Sequence, residues 1–592
     1  MRLSNLFTKT SRDYPADETS KNAQLLIRAG FVHKTMPGVY AMLPLGLRVL
    51  RKVENIVRKH MDKTGAQETL LNMLQPKELW VKADNRWETL DILFRLKSQS
   101  DNEYALAQSN EEQITNIAKG YVNSWKDLPE YDKNPAIAAL AVYQIQTKFR
   151  DEIRSKAGLM RGREFRMKDL YDFHQTEASQ NAFYEVMKQA YLDLYHEMGL
   201  EAYAVRASGG AFSKFSHEFQ VLTDAGEDWT VIWSDELKDN LEVSKGKPIN
   251  THKESLGEKL YRENLLDNVK TVDQHAQATT LTPDRIIKSV LFTTLEDKPR
   301  FVAVAIRGDL EVNEELVIQE LDCGIKVADD AELESLGSMR GRFTPITEVA
   351  QKYTKSIVWL FDESIRDAAG MASSFYTQVD VDRDLVQPSN WAYLGLVQEG
   401  FVRDDNSEII AKKICRSSEV GNIFKLGRKW TKEESIGIAY TDKENQVQRP
   451  LMGCYGIGTT RCMGALAEIN SDEKGLKWPK SVTPFMTHLV VSINEKDEES
   501  VKTQIQSLAD QIYSGEFVLS DENNDFKLIK SPLKVADQVL YDDRAGLNMG
   551  AKLTDAELIG CPYILIISKR SLENGGVELK VRATGESQIL KI

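Results

Sequence analysis

The chain is 592 residues long, 42% hydrophobic and 28% charged, with a formal net charge of −13. A chain of this length can bury several cores, and its length predicts about three or four domains. The acidic balance argues against indiscriminate nucleic-acid binding, because affinity for phosphate backbones comes from cations that displace counterions. We therefore expect no DNA partner, and any other nucleic acid would have to meet local basic patches.

Targeting signals and cysteine usage narrow the class further. No apolar run approaches membrane-spanning length, and residues 1–9 lack the apolar core of a signal peptide. We therefore expect a cytoplasmic protein with no membrane partner. The cysteines are dispersed without zinc-like spacing, so no metal site is expected and the thiols should be reduced and lie in cores. They are Cys323, Cys415, Cys454, Cys462 and Cys561.

The first informative element along the chain is a helix near residue 50. Its apolar positions recur at helical spacing: Leu47, Leu50, Val53, Val57 and Met61. Gly65 marks its predicted end, because glycine commonly follows the last helical turn. On its own this pattern predicts only a helix with one face in a core.

A strand follows at residues 143–149, and it alternates with period two. One face carries Tyr143, Ile145, Thr147 and Phe149, and the other carries Gln144, Gln146, Lys148, Arg150 and Glu152. A glycine-punctuated loop then carries Arg154, Lys156, Arg161 and Arg163, and a second alternating run begins at Phe165. The pattern predicts two strands joined by a long cationic loop, with Arg150, Glu152 and Phe165 close together.

These three residue types suit a nucleotide. A guanidinium can hold a phosphate oxygen with two parallel donors, so Arg150 is a candidate for the α-phosphate. Glu152 can accept from the adenine amino group, and the ring of Phe165 can stack on the base. For Arg-x-Glu alone, an amphipathic hairpin with its charged face in water would be the favoured interpretation.

A second glycine motif lies at Gly456-x-Gly458-x-x-Arg461. It could be mistaken for a dinucleotide fingerprint, but the third glycine of that fingerprint is replaced by Arg461, which removes the close helix contact. Other segments predict strands at residues 289–292 and 301–306, and again at 489–493, 538–544 and 563–567. The last three predict a small α/β domain, for which a generic nucleotide-binding module would be an equal interpretation.

Taken together, these motifs resemble a known family. Phe149–Glu152 with Arg161 and Phe165 resembles motif 2 of the class II aminoacyl-tRNA synthetases, and residues 453–468 resemble motif 3. Over nearly the whole chain, the sequence most resembles bacterial-type prolyl-tRNA synthetases. Residues 38–68 resemble motif 1, which builds the dimer interface in the family. The resemblance implies ATP-dependent attachment of L-proline to tRNA(Pro) through a prolyl-adenylate.

The implied fold is α/β (α+β), with an antiparallel class II catalytic sheet. The implied domains are a first catalytic part at 1–228, an inserted α/β editing-like domain at 229–402, a second catalytic part at 403–486, and an α/β anticodon-binding domain at 487–592. A homodimer is also implied.

The resemblance assigns roles at the ATP site. Arg150 and Arg461 are the catalytic candidates, Arg150 at the α-phosphate and Arg461 at the γ-phosphate. The ATP-binding candidates are Arg150, Glu152, Arg161, Phe165, Gly456, Gly458 and Arg461. Mg²⁺ is expected to enter with ATP, and no zinc is expected. The four cations of the hairpin loop are expected to face the acceptor end of tRNA.

The proline pocket is expected beside the α-phosphate. Its candidates are Ser109, Glu111, Arg150, Met167, Asp169 and Cys454. His174 alternates onto the opposite face, where a structural role is expected. The chain departs from the family pattern at Asn72, Gln108, Ser109 and Asn422.

In the insertion, Lys288 matches the family's lysine, which can bind the tRNA terminus electrostatically. Phe375 stands where the family has a histidine, and residues 338–345 replace a glycine-rich loop. We therefore expect weak or altered hydrolysis of mischarged Ala-tRNA(Pro).

Two other functions remain open. One is a sister class IIa enzyme for another small amino acid such as threonine, although threonyl enzymes usually carry a pocket zinc whose ligands are missing here. The other is a non-catalytic synthetase-like protein that binds tRNA or a regulator. The presence of Arg150, Glu152 and Arg461 argues against it.

Overall fold

The computed structural model describes residues 1–132, 138–153, 155, 157–208, 216–249, 252–265, 269–353, 357–386, 390–404, 408–522, 525–531 and 538–591. The chain divides into two compact units. The first consists of Met1–Ala204, Ala211–Glu227 and Ser417–Ile592, and the second of Val205–Gly210 and Asp228–Arg416.

The chain before residue 228 contains both helices and strands. The helices are α1 (Lys21–Arg28), α2 (Pro44–Lys63), α3 (Lys77–Lys82), α4 (Arg86–Thr89), α5 (Glu111–Ala118) and α6 (Glu177–Met198). The strands are β1 (Val32–Met36), β2 (Val39–Met42), β3 (Gln67–Glu68), β4 (Leu74–Pro76), β5 (Arg95–Lys97), β6 (Glu103–Leu106), β7 (Leu140–Phe149), β8 (Glu164–His174), β9 (Ala202–Ala207) and β10 (Ser216–Leu222).

The elements that follow, up to residue 412, belong to the second unit. The helices are α7 (Val272–Thr279), α8 (Glu314–Leu321), α9 (Asp330–Ser335), α10 (Thr347–Ala350) and α11 (Val381–Asp384). The strands are β11 (Asp228–Ile232), β12 (Lys238–Asn240), β13 (Gly246–Lys247), β14 (Leu260–Tyr261), β15 (Ile287–Thr294), β16 (Phe301–Arg307), β17 (Ile325–Val327), β18 (Ile357–Asp362), β19 (Met371–Ser373), β20 (Tyr376–Val379), β21 (Trp391–Ala392) and β22 (Val402–Arg403).

The remaining elements belong to the first unit, except that the first four residues of β23 lie in the second. The strands are β23 (Lys413–Gly427), β24 (Tyr440–Thr441), β25 (Val447–Gln448), β26 (Leu451–Ile457), β27 (Ser471–Asp472), β28 (Gly475–Leu476), β29 (Thr487–Val491), β30 (Phe517–Glu522), β31 (Asp525–Lys530), β32 (Val539–Asp542), β33 (Tyr563–Ile567), β34 (Gly576–Val581) and β35 (Ser587–Lys591). The helices are α12 (Thr459–Ile469), α13 (Glu499–Tyr513), α14 (Met549–Ile559) and α15 (Lys569–Glu573).

The central sheet of the first unit has the strand order β10-β23-β26-β8-β7-β3. Its pairings are antiparallel except for the short β3, which runs parallel to β7. One core joins buried side chains of α2, α6 and α12 to this sheet. A second core contains Trp80, Trp87 and Trp430 together with Tyr171 and Cys454 of the sheet. The pocket candidates therefore border the second core.

The predicted helix near residue 50 is confirmed as α2. Proline at its first position presets the backbone angle that a helix needs. Leu50, Val53, Val57 and Met61 are buried as predicted. Leu47 is only half-buried, because the buried stripe runs through Leu45 and Val49 instead.

The second unit contains a mixed sheet with the order β17-β15-β16-β18-β21. Its central strands β15 and β16 pair antiparallel, and β16 pairs parallel with β18. β15 and β16 include the predicted strands at 289–292 and 301–306, which are confirmed.

The carboxyl-terminal part of the first unit contains the sheet β32-β29-β33-β34-β35. β32, β29 and β33 run parallel, as expected for strands connected through helices. The predicted strands are confirmed at β33 and, with ends that differ by one or two residues, at β29 and β32. The expected mixture of helices and strands is thus present throughout.

The cysteines are free, as predicted. Cys454, Cys462 and Cys561 are buried, but Cys323 and Cys415 are only partly buried, so the expectation that all five lie in cores is wrong for these two. No helix in the described part of the chain is long and apolar enough to span a membrane.

Candidate active site

The predicted hairpin is confirmed by the pairing of β7 with β8, in which Phe149 faces Glu164 and Lys148 faces Phe165. Arg150 follows directly after β7, and its backbone N–H donates to the Arg163 carbonyl at 2.8 Å. The guanidinium carbon of Arg150 lies 5.2 Å from the ring centre of Phe165. The Nε atom of Arg150 has no hydrogen-bond partner among the described residues.

The second arginine, Arg461, stands on the first turn of α12, after the tight turn from β26. A Cβ at Gly456 would lie 3.1 Å from Asn422 Oδ1, and one at Gly458 would lie 3.0 Å from Arg461 Cβ. Both glycines therefore hold the backbone close to neighbouring side chains. Arg461 Nη1 lies 3.1 Å from Glu419 Oε2, and its Nε donates to the Met160 carbonyl at 2.6 Å.

Electrostatics link the two arginines. Burial lowers the pKa of Arg150, and the positive charge of Arg461 lowers it further. The carboxylates of Glu419, Glu152 and Glu111 act in the opposite direction. Because a guanidinium remains charged at physiological pH, the site carries fixed positive charge bordered by carboxylates.

Glu152 does not stand free beside Arg150. Arg161 Nη2 lies 2.9 Å from Glu152 Oε2, and Arg161 Nη1 lies 2.9 Å from Glu227 Oε2. The structure thus brings two of the ATP-site candidates together as an ion pair. Arg154 and Lys156, also expected on this loop, lie outside the described residues.

The proline-pocket candidates gather where α5, β8 and β26 meet. Cys454 Sγ donates to Glu111 Oε1 at 3.1 Å, and burial raises the pKa of the thiol well above its usual range, so it keeps its proton. Glu111 Oε2 has no hydrogen-bond partner among the described residues. Ser109 Oγ lies 3.4 Å from the Tyr171 hydroxyl. Met167 borders Gly456, with Cε 3.9 Å from the position of a glycine Cβ.

Asp169 lies in a buried polar network. Its Oδ1 is 2.9 Å from Lys148 Nζ, and its Oδ2 accepts from Gln144 Nε2 at 2.9 Å and from the Tyr171 hydroxyl at 3.0 Å. Lys148 Nζ also donates to Asn110 Oδ1. Sequence reasoning placed Lys148 and Gln144 on the polar face of β7 but gave them no role. The available sequence signal was that both residues lie on the same period-two face as Arg150.

A second buried ion pair also escaped sequence reasoning. Arg86 Nη1 pairs with Glu112 Oε1, which additionally accepts from Trp430 Nε1 at 3.3 Å. The Arg86 guanidinium lies 5.6 Å from the ring centres of both Trp80 and Trp430. The Glu-Glu pair of the loop was visible in the sequence, but its arginine partner was not.

The departures from the family pattern border the same region. Asn422 Nδ2 donates to Glu419 Oε1 at 2.6 Å and so steadies the partner of Arg461. Asn72 accepts long hydrogen bonds of 3.5 Å from Asn110 and Gln113. Gln108 is buried, with Nε2 unpaired within the ranges that the structure describes. His174 faces α6, where Nδ1 lies 2.8 Å from Ser179 Oγ.

Lys288 of the second unit lines a cavity of about 580 Å³. Lys270, His275 and Arg340 also line it, and Lys288 Nζ lies 3.4 Å from Glu311 Oε1. His275 Nε2 has no hydrogen-bond partner in the described part of the chain, and burial lowers the pKa of its ring.

Comparisons with known proteins are consistent over the whole chain. The class II core domain of the G, H, P, S and T tRNA synthetases matches residues 94–470, and an anticodon-binding domain matches residues 489–592. The chain is 38% identical to the proline–tRNA ligase of Geobacillus sp. (strain WCH70), covering 100% of this chain and 98% of that protein. It is 35% identical to proline–tRNA ligase 1 of Bacillus cereus (strain ATCC 14579), again covering 100% and 98%.

Solved structures agree on the fold. The prolyl-tRNA synthetase of Cryptosporidium parvum with halofuginone and AMPPNP has a TM-score of 0.54 at 10% identity, covering 96% of this chain and 74% of that one. The prolyl-tRNA synthetase of Giardia lamblia with prolyl-adenylate has a TM-score of 0.53 at 14% identity, covering 96% and 73%. The chain therefore belongs to the proline–tRNA ligases, a family of class II aminoacyl-tRNA synthetases.

Proposed function

We propose that this chain is a proline–tRNA ligase that activates L-proline with ATP and transfers it to tRNA(Pro). The observation that carries the proposal is that a buried carboxylate oxygen of Glu111 and the Nε atom of Arg150 both lack a hydrogen-bond partner among the described residues. A buried carboxylate without a cation is costly unless a ligand supplies one. The secondary ammonium of proline is such a cation, and Arg150 faces the anionic half of the reaction.

In the first step, a proline carboxylate oxygen attacks the α-phosphorus of ATP, and the bond to the bridging oxygen breaks to release pyrophosphate. Arg150 stabilises the charge at the α-phosphate, and Arg461 holds the γ-phosphate. Catalysis comes from positioning and electrostatics, so no side chain acts as a nucleophile. In the second step, a terminal ribose hydroxyl of the tRNA attacks the prolyl carbonyl, and AMP leaves.

The adenine is assigned to Phe165 and Glu152. The ring of Phe165 already lies under a guanidinium, which leaves one face for a base. Gly456 and Gly458 allow the backbone to approach the nucleotide, and Arg161 orients Glu152 through their ion pair. Mg²⁺ bound to ATP supplies additional charge neutralisation. Glu419 offers the carboxylate oxygens that this ion prefers, so the residues present fit it.

Proline selectivity is assigned to the walls of the small pocket. Ser109 and Glu111 meet the ammonium, and Met167, Asp169 and Cys454 limit the space around the ring. The thiol of Cys454 fixes one oxygen of Glu111 and leaves the other for the substrate.

The macromolecular partner is tRNA(Pro). Residues 487–592 are assigned to the anticodon, and the hairpin-loop cations Arg154, Lys156, Arg161 and Arg163 to the acceptor end. A homodimer in the cytoplasm, with α2 at its interface, completes the proposal. The domain limits at 1–228, 229–402, 403–486 and 487–592 belong to it as well.

Charging of tRNA(Pro) tests this function. The purified protein should attach labelled proline to tRNA(Pro) in the presence of ATP, and Arg150→Ala should abolish charging. Binding of tRNA(Pro) without charging would favour the non-catalytic alternative, and charging of another tRNA would favour a sister enzyme.

For residues 229–402 we propose weak or altered hydrolysis of Ala-tRNA(Pro). The Lys288 cavity is cationic enough for a phosphate-bearing terminus, but Phe375 stands at the family's histidine position. Rapid release of alanine from preformed Ala-tRNA(Pro), lost in Lys288→Ala, would contradict weak hydrolysis.

A further inference from the structure

We infer that two buried cations, Lys148 and Arg86, act as positioning residues that set the charge of the amino-acid pocket. Each neutralises one carboxylate near the pocket, which leaves Glu111 to meet the ammonium of the substrate. This inference rests on the proposed function, because it assigns charges within the site proposed above.

The first pair is Lys148 with Asp169. Both side chains are almost fully buried, with 0% and 2% of their surface exposed. Lys148 Nζ lies 2.9 Å from Asp169 Oδ1, and two donors occupy Oδ2. Asp169 is therefore already neutralised and hydrogen-bonded, so it can form a wall of the pocket without attracting an ammonium.

Lys148 also acts on the loop that carries Glu111. Its Nζ donates to Asn110 Oδ1, and the backbone N–H of Asn110 donates to the Tyr171 hydroxyl at 3.0 Å. Tyr171 in turn donates to Asp169. The lysine thus ties the residue just before Glu111 to the floor of the pocket, which fixes where the free carboxylate points.

The second pair is Arg86 with Glu112. Glu112 is the next residue after Glu111 on the first turn of α5, so the two side chains leave the helix in different directions. Burial raises the pKa of Glu112, and its neighbour Arg86 opposes that rise. The arginine therefore favours the ionised form of Glu112 and pairs with its charge.

Glu111 differs from Asp169 and Glu112, because its carboxylate has no paired cation among the described residues. It is 1% exposed, and no cationic nitrogen of the described residues lies within 4.0 Å of its carboxylate. The neutral Cys454 thiol donates to one of its carboxylate oxygens, and the other oxygen has no hydrogen-bond partner among the described residues. A substrate with one ammonium is matched by one free anion. A second free carboxylate would compete for the ammonium or take up a proton.

The test measures the KM for proline in ATP–pyrophosphate exchange. Lys148→Met removes the charge and keeps most of the chain length, so it leaves Asp169 uncompensated. We expect the KM for proline to rise about tenfold or more, with the KM for ATP changed less than about twofold. Arg86→Met should act in the same direction through Glu112.

Paired substitutions separate charge from packing. Lys148→Met/Asp169→Asn and Arg86→Met/Glu112→Gln remove both members of a pair, so each should recover most of the loss in proline KM. A purely structural role predicts that each double variant is at least as impaired as its single variant, and this result would overturn the inference. If a single variant does not fold, its double variant is compared with wild type instead: a proline KM within about fivefold of the wild-type value supports the inference, and a larger rise overturns it.

Lys552→Met is the matched control. Lys552 is also buried, but it lies on α14 of the carboxyl-terminal domain, where Nζ donates to the Val491 carbonyl at 2.8 Å. It should leave the KM for proline unchanged. Wild-type protein without proline-dependent exchange would refute the proposed function itself. Wild-type exchange with an unaltered KM in Lys148→Met would refute only the inference.

Discussion

Arg461 and Glu419 hold each other at the edge of the candidate ATP site. Arg461 Nη1 lies 3.1 Å from the Glu419 carboxylate and donates to the Glu419 carbonyl at 2.8 Å. Asn422 fixes the other carboxylate oxygen of Glu419. The guanidinium is therefore oriented before any nucleotide arrives, and this preorganisation lowers the entropic cost of nucleotide binding.

Arg461→Ala should lower kcat/KM for ATP about 10²- to 10³-fold, because a preorganised cation at a phosphate is lost. Arg461→Lys should recover only part, since an ammonium cannot reproduce the two-pronged contact. Steady-state exchange at varied ATP concentration measures both. Arg300→Ala, at an exposed pair with Glu296 in the second unit, is the control. Equal activity of Arg461→Ala and wild type would show that Arg461 does not contact ATP.

Glu111→Gln tests the counter-ion of proline. Losing a desolvated charge contact should raise the KM for proline about 100-fold. Cys454→Ser keeps a donor to Glu111 and should change this KM by less than about threefold. Titration of proline at saturating ATP distinguishes the two. A Glu111→Gln enzyme with normal proline KM would show that another group meets the ammonium.

Lys168 should make stability depend on pH. Burial lowers the pKa of this side chain to about 7 from its ordinary value of 10.5. The unfolded chain thus binds more protons between these values, and stability rises with pH across this window. The loss of folding stability caused by burying a charged Lys168 is fully present below pH 7 and disappears toward pH 10.5.

Lys168→Met removes this titration. Urea midpoints of wild type and variant at pH 6.5, 8 and 9.5 should differ in their slope with pH, the wild type showing the steeper rise. In the structure, the buried amine of Lys168 donates to the Tyr191 hydroxyl and the Tyr455 carbonyl. Parallel slopes in the two proteins would mean that Lys168 titrates normally.

Gly46 marks a close approach at the start of α2. A Cβ there would lie 2.1 Å from the Phe31 carbonyl oxygen, so the backbone would have to move. Gly46→Ala should lower the free energy of unfolding by about 1–3 kcal/mol. At Gly120 the nearest atom would be 3.4 Å away, and Gly120→Ala should be tolerated. Chemical denaturation of both variants checks the contrast, and equal midpoints would contradict it.

The sequence predicted those parts of the fold that follow from local periodicity. Alternation in residues 143–149 and from Phe165 onward was enough to predict β7, β8 and the proximity of Arg150 to Phe165. Helical spacing predicted α2. The order of strands in the sheets could not be predicted this way, because pairing between distant segments leaves no local pattern.

The candidate site was predictable where a motif names the residue and unpredictable where burial decides its role. A lysine on the polar face of a strand normally meets water, so Lys148 gave no sign that it lies opposite Asp169 in the interior. Arg86 stands in a short helix without a motif, and only the fold brings it to Glu112. Glu111 could be named, but only the three-dimensional structure shows that no described cation pairs with its carboxylate.

Proline-dependent ATP–pyrophosphate exchange tests the central claim most directly. The purified protein should exchange pyrophosphate into ATP with proline, with little exchange for alanine or threonine and none without an amino acid. Arg150→Ala should abolish the signal while remaining folded. If the folded protein shows no exchange with any of these amino acids, the account is contradicted, and a synthetase-like binding protein becomes the better interpretation.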